Sequence, residues 1–474
     1  MSKKYDAIIV GSGSNGLAAA AFLQQKGLKT AVFEQASIPG GATKTEEITL
    51  PGFKHDIGSA IHPLTYSSPF FKTLPLDKHG LTWIFPDIPF SHPFKDGSAY
   101  ACFKDFKQTA AQLGIDEAAY IKLYGNFLEG WSSFEEDLLG PLSWPENPKK
   151  LLQFGMKAFP PAKWLVNHYF KDEKSRLLFY GAAAHSTLPM TSFASASFGL
   201  VLNILAHRHG WPFPKGGASK IISSLVSYYK SEGGELKLNQ EVKNLDKLPT
   251  AKAYIFDLTP SQLLKIRNTD FSALYRKRLQ NYNYGAGVFK IDWALDRPIP
   301  FTNELCRKSG TVHLGFSQEE IERSESDIHS NKINKHPYVL VAQHSIFDST
   351  RAPENKHTAW AYCHVPNGST ADMTQVIENQ LERAAPGFKD TILAKTTHNT
   401  VQLENFNPNL VGGDINGGKQ DISQLFTRPV AKLNPYSTSN PNIFICSAST
   451  PPGGGVHGMS GYHAAKSAYE HIMK

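Results

Sequence analysis

The chain has 474 residues, 41% of them apolar and 19% charged, with a formal net charge of +7. That length can bury a sizeable core and points to two domains of ordinary globular composition. The basic residues are dispersed as a solvated surface, with no dense block interleaved with aromatics, so no nucleic-acid partner is expected.

Tyr5 to Val10 (YDAIIV) is a short apolar run of the kind a buried parallel strand needs. GSGSNG follows at once. Gly11 permits a tight turn, Gly13 lets a pyrophosphate approach the backbone, and Gly16 lets the next helix lie close to the strand. That helix is predicted over Leu17–Lys26, with Ala18 to Ala21 keeping its packing face thin and Gly27 ending it. A second strand, Thr30 to Glu34, ends in an acid placed to accept hydrogen bonds from both hydroxyls of an adenosine ribose. Strand, glycine turn, small-residue helix, strand and terminal acid within thirty residues predict a bound dinucleotide. Gly40-Gly41 then lie in a loop whose amides could meet further phosphate or ribityl oxygens, and GFKHDIGSAIHP reads as a short extended segment carrying Asp56 and Gly58.

Tyr66 to Phe198 holds twenty-five of the fifty-four aromatics, opening with strands about an Asp96-Gly97 turn and turning helical from about Phe106. Most of these aromatics are read as core, but their density favours a large apolar cavity over a polar one. Between Lys149 and Lys171 five lysines interleave with Phe154, Phe159, Trp164 and Leu165, which reads as a solvated helix pair or as a membrane-resting surface. The run nearest to a membrane span, Phe193 to Ala206, is short and carries Ser195, Ser197 and Asn203. Next come an amphipathic helix after Gly216-Gly217, ended by Gly233-Gly234, and strands at Glu235–Val242 and Tyr254–Leu258. Asn283–Leu295, Pro337–Ile346 and His357–Val365 are β-like, Asp372–Ala385 helical, and LENFNPNLVGGDINGG is a loop returning to the cofactor. The last stretch reads as a strand over Ile443–Cys446, a loop over Pro451–Gly458 and a helix from Ser460.

Cys102, Cys306, Cys363 and Cys446 are scattered, without CxxC or metal-ligand spacing, so neither a disulfide framework, a redox disulfide nor a metal site is expected. With the first strand starting within five residues of Met1, no signal or transit peptide is predicted. The expected location is cytoplasmic, with peripheral membrane contact as its alternative.

The glycine fingerprint, the Gly-Gly loop, the Asp-x-Gly at Asp56 and Gly58, and above all PPGGGVHGMSGYHAA resemble the carotenoid (phytoene) desaturase and flavin amine oxidase superfamily. The chain looks most like its phytoene-desaturase-related NAD(P)/FAD-dependent branch, which includes proteins named for a pyridine nucleotide–disulfide domain. Ala42 stands where the family usually has Arg, and Ser449 where it usually has Gly or Asp. The resemblance implies that Val242 presents its backbone to an adenine and that the C-terminal loop lies against an isoalloxazine. The N-terminus of the last helix would face the ring edge that gains negative charge on reduction. The expected cofactor contacts are Gly11, Ser12, Gly13, Asn15, Gly16, Glu34, Gln35, Gly40, Gly41, Ala42, Val242, Ser449, Gly454, Gly455, Val456 and Met459. His457 is the candidate acid/base, against a structural loop histidine; His185 and His62 are further candidates.

The expectation is therefore an α/β protein. A discontinuous Rossmann-type FAD-binding domain (1–65, 207–280, 405–474) would carry an α+β substrate domain of mixed sheet and helices (66–206, 281–404). The resemblance implies an FAD-dependent oxidoreductase that desaturates, or isomerises, a lipophilic polyene or isoprenoid substrate. The alternatives are an amine-oxidase-like enzyme and a non-catalytic FAD-binding assembly factor.

Overall fold

A computed structural model describes residues 4–474. The chain begins with β1 (Tyr5–Val10), α1 (Ser14–Gln25) and β2 (Thr30–Phe33), so the helix starts three residues earlier than predicted. A hairpin of β3 (Ile88–Pro93) and β4 (Ala99–Cys102) turns at Asp96-Gly97, and helices fill most of 106–209. Then come α2 (Ser219–Ser231), β5 (Glu235–Lys237) and β6 (Ala251–Phe256). Five strands follow: β7 (Gly287–Leu295), β8 (Ser309–Leu314), β9 (Val339–Ala342), β10 (His357–Val365) and β11 (Ile392–His398). The chain closes with β12 (Ile443–Ile445) and α3 (Met459–Ile472).

Two sheets organise the molecule. The first is wholly parallel, in the order β12-β6-β1-β2-β5, and gathers strands from both ends and the middle of the sequence. Such a sheet is buried on both faces, which is why β1 and β2 read as continuous apolar runs. Ala18 to Ala21 of α1 are fully buried, and α3 packs on them through Ala464, Ala465 and Ala468. The contact is backbone to backbone: a Cβ on Gly461 would stand 1.9 Å from the Asn15 carbonyl oxygen. The two halves of the Rossmann-type unit are thus pressed together beside the glycine turn.

The second sheet is mixed, in the order β11-β7-β10-β9-β8-β3-β4, with only β8 and β3 parallel. Its strands alternate. Phe289, Ile291 and Trp293 of β7, Ala361 and Cys363 of β10 and Val341 of β9 face an apolar core on one side. Val288, Lys290, Leu340, Trp360 and Tyr362 face the other, where the helices of 106–209 lie across a cavity. The fold is the expected discontinuous Rossmann-type unit with a second region of mixed sheet and helices. One predicted strand is shorter than expected: β5 ends at Lys237, and residues 238–242 leave the sheet, with Asn239 in the left-handed region at φ 56°.

All four cysteines are buried and free. Among the described residues no helix is long and apolar enough to cross a membrane.

Candidate functional site

A cavity of about 790 Å³ runs between the two sheets. Its first pole is built by the loops at the carboxyl ends of the parallel strands, the position where open α/β sheets bind ligands. Gly11, Ser12, Gly13, Asn15, Glu34, Gln35, Gly40, Gly41, Ala42 and Val242 all line it, as do Gly454, Gly455 and Val456 from the C-terminal loop. Thirteen of the sixteen expected cofactor contacts therefore meet in one cavity, although they are drawn from three distant parts of the chain.

The other three do not reach its wall. Gly16 lies in the first turn of α1, where an added Cβ would stand 2.2 Å from the Gly11 carbonyl oxygen. Ser449 is buried behind the loop, its hydroxyl donating to the Gly417 carbonyl at 2.6 Å. Met459 is buried at the start of α3, its N–H donating to His457 Nδ1 at 3.0 Å.

His457 is corrected as the acid/base candidate. It is buried away from the cavity lining, Nδ1 accepts from Met459, and Nε2 faces the Gly453 carbonyl at 3.2 Å. Burial lowers its pKa to about 4 against those carbonyl contacts, so a neutral imidazole braces the loop with both nitrogens occupied.

Asp257, which the sequence reading passed over, sits directly under the glycine turn at the end of β6 and lines the cavity. Its Oδ2 accepts the Gly16 N–H at 3.0 Å, and a Cβ on Gly13 would stand 2.5 Å from the same oxygen. Gly13 is thus required by a carboxyl behind it as well as by any ligand in front. Burial pushes the Asp257 carboxyl up to about 7; the Gly16 bond opposes this and the Glu34 charge adds to it. A carboxyl that holds its proton more readily than usual repels an anionic ligand less.

Asp56, the acid of the Asp-x-Gly, does not line the cavity. It accepts from Thr45 Oγ1 at 2.6 Å and from the Ala218 N–H at 2.8 Å, and it pairs with buried Arg351. Although burial raises its pKa, Arg351 and His344 hold it down to about 2. The motif therefore ties the segment after the Gly-Gly loop to the start of α2 and to the turn at Ser349–Arg351 between β9 and β10.

The second pole of the cavity is mostly apolar, with Phe198, Leu202, Trp211, Val288, Leu340 and Trp360 in its wall. Lys290 is the cation there. It is buried, ion-paired with Asp292, and its pKa is lowered by burial although Asp292 opposes the shift. His62 and His185 also line the cavity.

The first pole fits a dinucleotide. The first turn of α1 carries neither an acidic side chain nor a side-chain cap, and the buried Asn15 Oδ1 has no partner among the described residues.

The NAD(P)-binding Rossmann-like domain family model matches residues 9–74. The chain is similar to the rat pyridine nucleotide-disulfide oxidoreductase domain-containing protein 2, 24% identical over 98% of this chain and 93% of that protein. It is also 24% identical to the phytoene desaturase (neurosporene-forming) of Cereibacter sphaeroides, over 96% of this chain and 92% of that one. Cyclohexylamine oxidase from Brevibacterium oxydans shares the fold at a TM-score of 0.59 and 15% identity, over 99% of each chain. These relatives bear out the resemblance to the carotenoid desaturase and amine oxidase superfamily.

Proposed function

We propose that the protein is an FAD-dependent oxidoreductase that dehydrogenates a lipophilic substrate inside this cavity. The observation that carries the reading is one continuous cavity with the dinucleotide loops at one pole and an apolar wall at the other. Glu34 and the first turn of α1 would hold the adenosine and pyrophosphate, and Gly454 to Val456 would lie along the flavin. FAD, when bound, supplies the hydride acceptor. The chain's own part is to orient the substrate C–H bond and exclude water, which the apolar wall does without an acid or base.

The names of two relatives, a phytoene desaturase and a limonene dehydrogenase subunit, support a lipophilic substrate. A membrane is its proposed source. Phe154 and Leu165 turn inward, but Trp144 (90% exposed), Leu152, Met156, Phe159 and Trp164 stand out beside Lys149 and Lys163.

The test is anaerobic reduction of protein-bound flavin by a panel of polyenes, fatty acyl compounds and amines. Bleaching by lipophilic members alone is the expected result; bleaching by amines alone overturns the reading in favour of an amine oxidase. Protein that stays colourless after reconstitution with FAD would sink the cofactor assignment.

A further inference from the structure

His185 and His313 meet in the cavity wall, Nε2 to Nε2 at 3.2 Å. His185 lies in the single turn Ala184–Ser186, half-buried and lining the cavity, and His313 is fully buried on β8. Burial holds both imidazoles far below their ordinary pKa, so each is neutral and carries one proton.

A hydrogen bond between the two Nε2 atoms admits two arrangements. If His185 donates, the proton of His313 must sit on its Nδ1, which is buried and has no partner among the described residues. That nitrogen packs on Gly181, where an added Cβ would stand 2.5 Å away, so it faces a Cα–H. An N–H there is an unmade donor, whereas a bare lone pair receives a weak C–H contact. The second arrangement is therefore favoured: His313 Nε2–H donates to His185 Nε2, and the His185 proton sits on Nδ1. Nδ1 of His185 makes no hydrogen bond among the described residues, and His185 itself lines the cavity.

We propose that His185 Nδ1–H forms a polar subsite for an uncharged oxygen of the substrate, a ketone, aldehyde or hydroxyl on an otherwise apolar chain. The inference rests on the lipophilic-substrate reading and narrows it from hydrocarbons to oxygenated lipids. A donor left facing an apolar wall is stabilising only when an acceptor reaches it. A carboxylate would instead need the cation of Lys290. That residue is separated from His313 by Leu340 and Tyr362 in the register across the sheet, about 14 Å at three strand spacings.

The test uses the full-length protein and two ligands of equal length, 2-tridecanone and n-tridecane. Binding is followed by tryptophan fluorescence, since Trp211 and Trp360 line the cavity. Wild type should bind the ketone about tenfold more tightly than the alkane, the scale of one hydrogen bond. His185→Leu should abolish that difference, and His185→Asn, which keeps a donor, should retain part of it. Imidazole 15N shifts of the wild type supply a readout independent of any variant, and should find His185 protonated on Nδ1 and His313 on Nε2. Equal affinity of wild type for the two ligands, or His185 protonated on Nε2, overturns the proposal. Failure to take up FAD would sink the flavin reading alone, because the two-ligand comparison needs no flavin.

Discussion

Ser12 donates twice to one carboxylate oxygen of Glu34, through its N–H at 2.9 Å and its hydroxyl at 2.7 Å, while the Ala36 N–H donates to the other oxygen at 2.8 Å. A carboxylate offers about four acceptor sites, and three are taken. The acid therefore pins the glycine turn to the end of β2 and leaves room for one ligand hydroxyl rather than the two expected from its spacing. Glu34→Ala should weaken FAD binding by about 1–3 kcal/mol and Ser12→Ala by about 1 kcal/mol. Titration of apoprotein with FAD checks both; an unchanged Glu34→Ala affinity would remove this acid from the ribose.

Asp257 makes stability depend on pH in the unusual direction for an acid. Its native pKa, about 7, lies above the ordinary value of 3.8, so the native state holds a proton that the unfolded chain releases. The associated stability is complete below about pH 4 and is lost as pH rises through 7. Asp257→Asn keeps an acceptor for the Gly16 N–H and should remove that loss, gaining on the order of a few kcal/mol over wild type at pH 8 and little at pH 4. Denaturant melts of the two proteins at both pH values are the check, and parallel pH profiles would show that Asp257 ionises freely.

The buried histidines act at the acid side. Burial depresses His62, His92, His344 and His457 to about 4. Depressed pKa values give stability that is present above 6.5 and lost as pH falls towards 4. The thermal midpoint should therefore drop steeply across that window. The expected His457→Asn phenotype is lower stability at pH 7 with no change in the pH dependence of hydride transfer. A titration step near pH 6–7 that vanishes in His457→Asn would restore it as an acid/base.

Gly455 has φ +122°, a conformation that L side chains rarely adopt, and an added Cβ would stand 2.9 Å from Leu64 Cδ1 and 3.1 Å from His457 Cδ2. Gly455→Val should cost about 1–3 kcal/mol of strain and displace the loop from the cavity. The expected protein keeps its helical circular dichroism but loses most bound flavin. Wild-type flavin content in this variant would place the loop outside the cofactor site.

The exposed face around Trp144 and Trp164 should bind anionic vesicles weakly and reversibly. Sedimentation with phosphatidylserine vesicles should carry down wild type at low salt, and Trp164→Ser with Lys163→Gln should reduce the bound fraction several-fold. No sedimentation of wild type at any salt would assign the face to solvent.

The sequence by itself determined what depends on neighbours along the chain. The apolar run, glycine turn, alanine face and terminal acid of Tyr5–Glu34 each specify a local conformation, and they assemble within thirty residues. The same holds for the alternation that predicted β7 and β10, because side-chain direction in a strand follows position alone. Tertiary packing decided everything that joins distant residues. Asp257 reaches the Gly16 N–H across 241 positions and His185 reaches His313 across 128, and neither partner is marked by spacing or residue type. It also decided which motif residues face the ligand. His457 lies within the most specific motif of the chain and Ser449 just before it, yet nearby carbonyl and amide groups claim their polar atoms. In the closed-packed loop those contacts satisfy groups that would otherwise be buried unpaired, a requirement that exists only once the second half of the molecule has folded against the first.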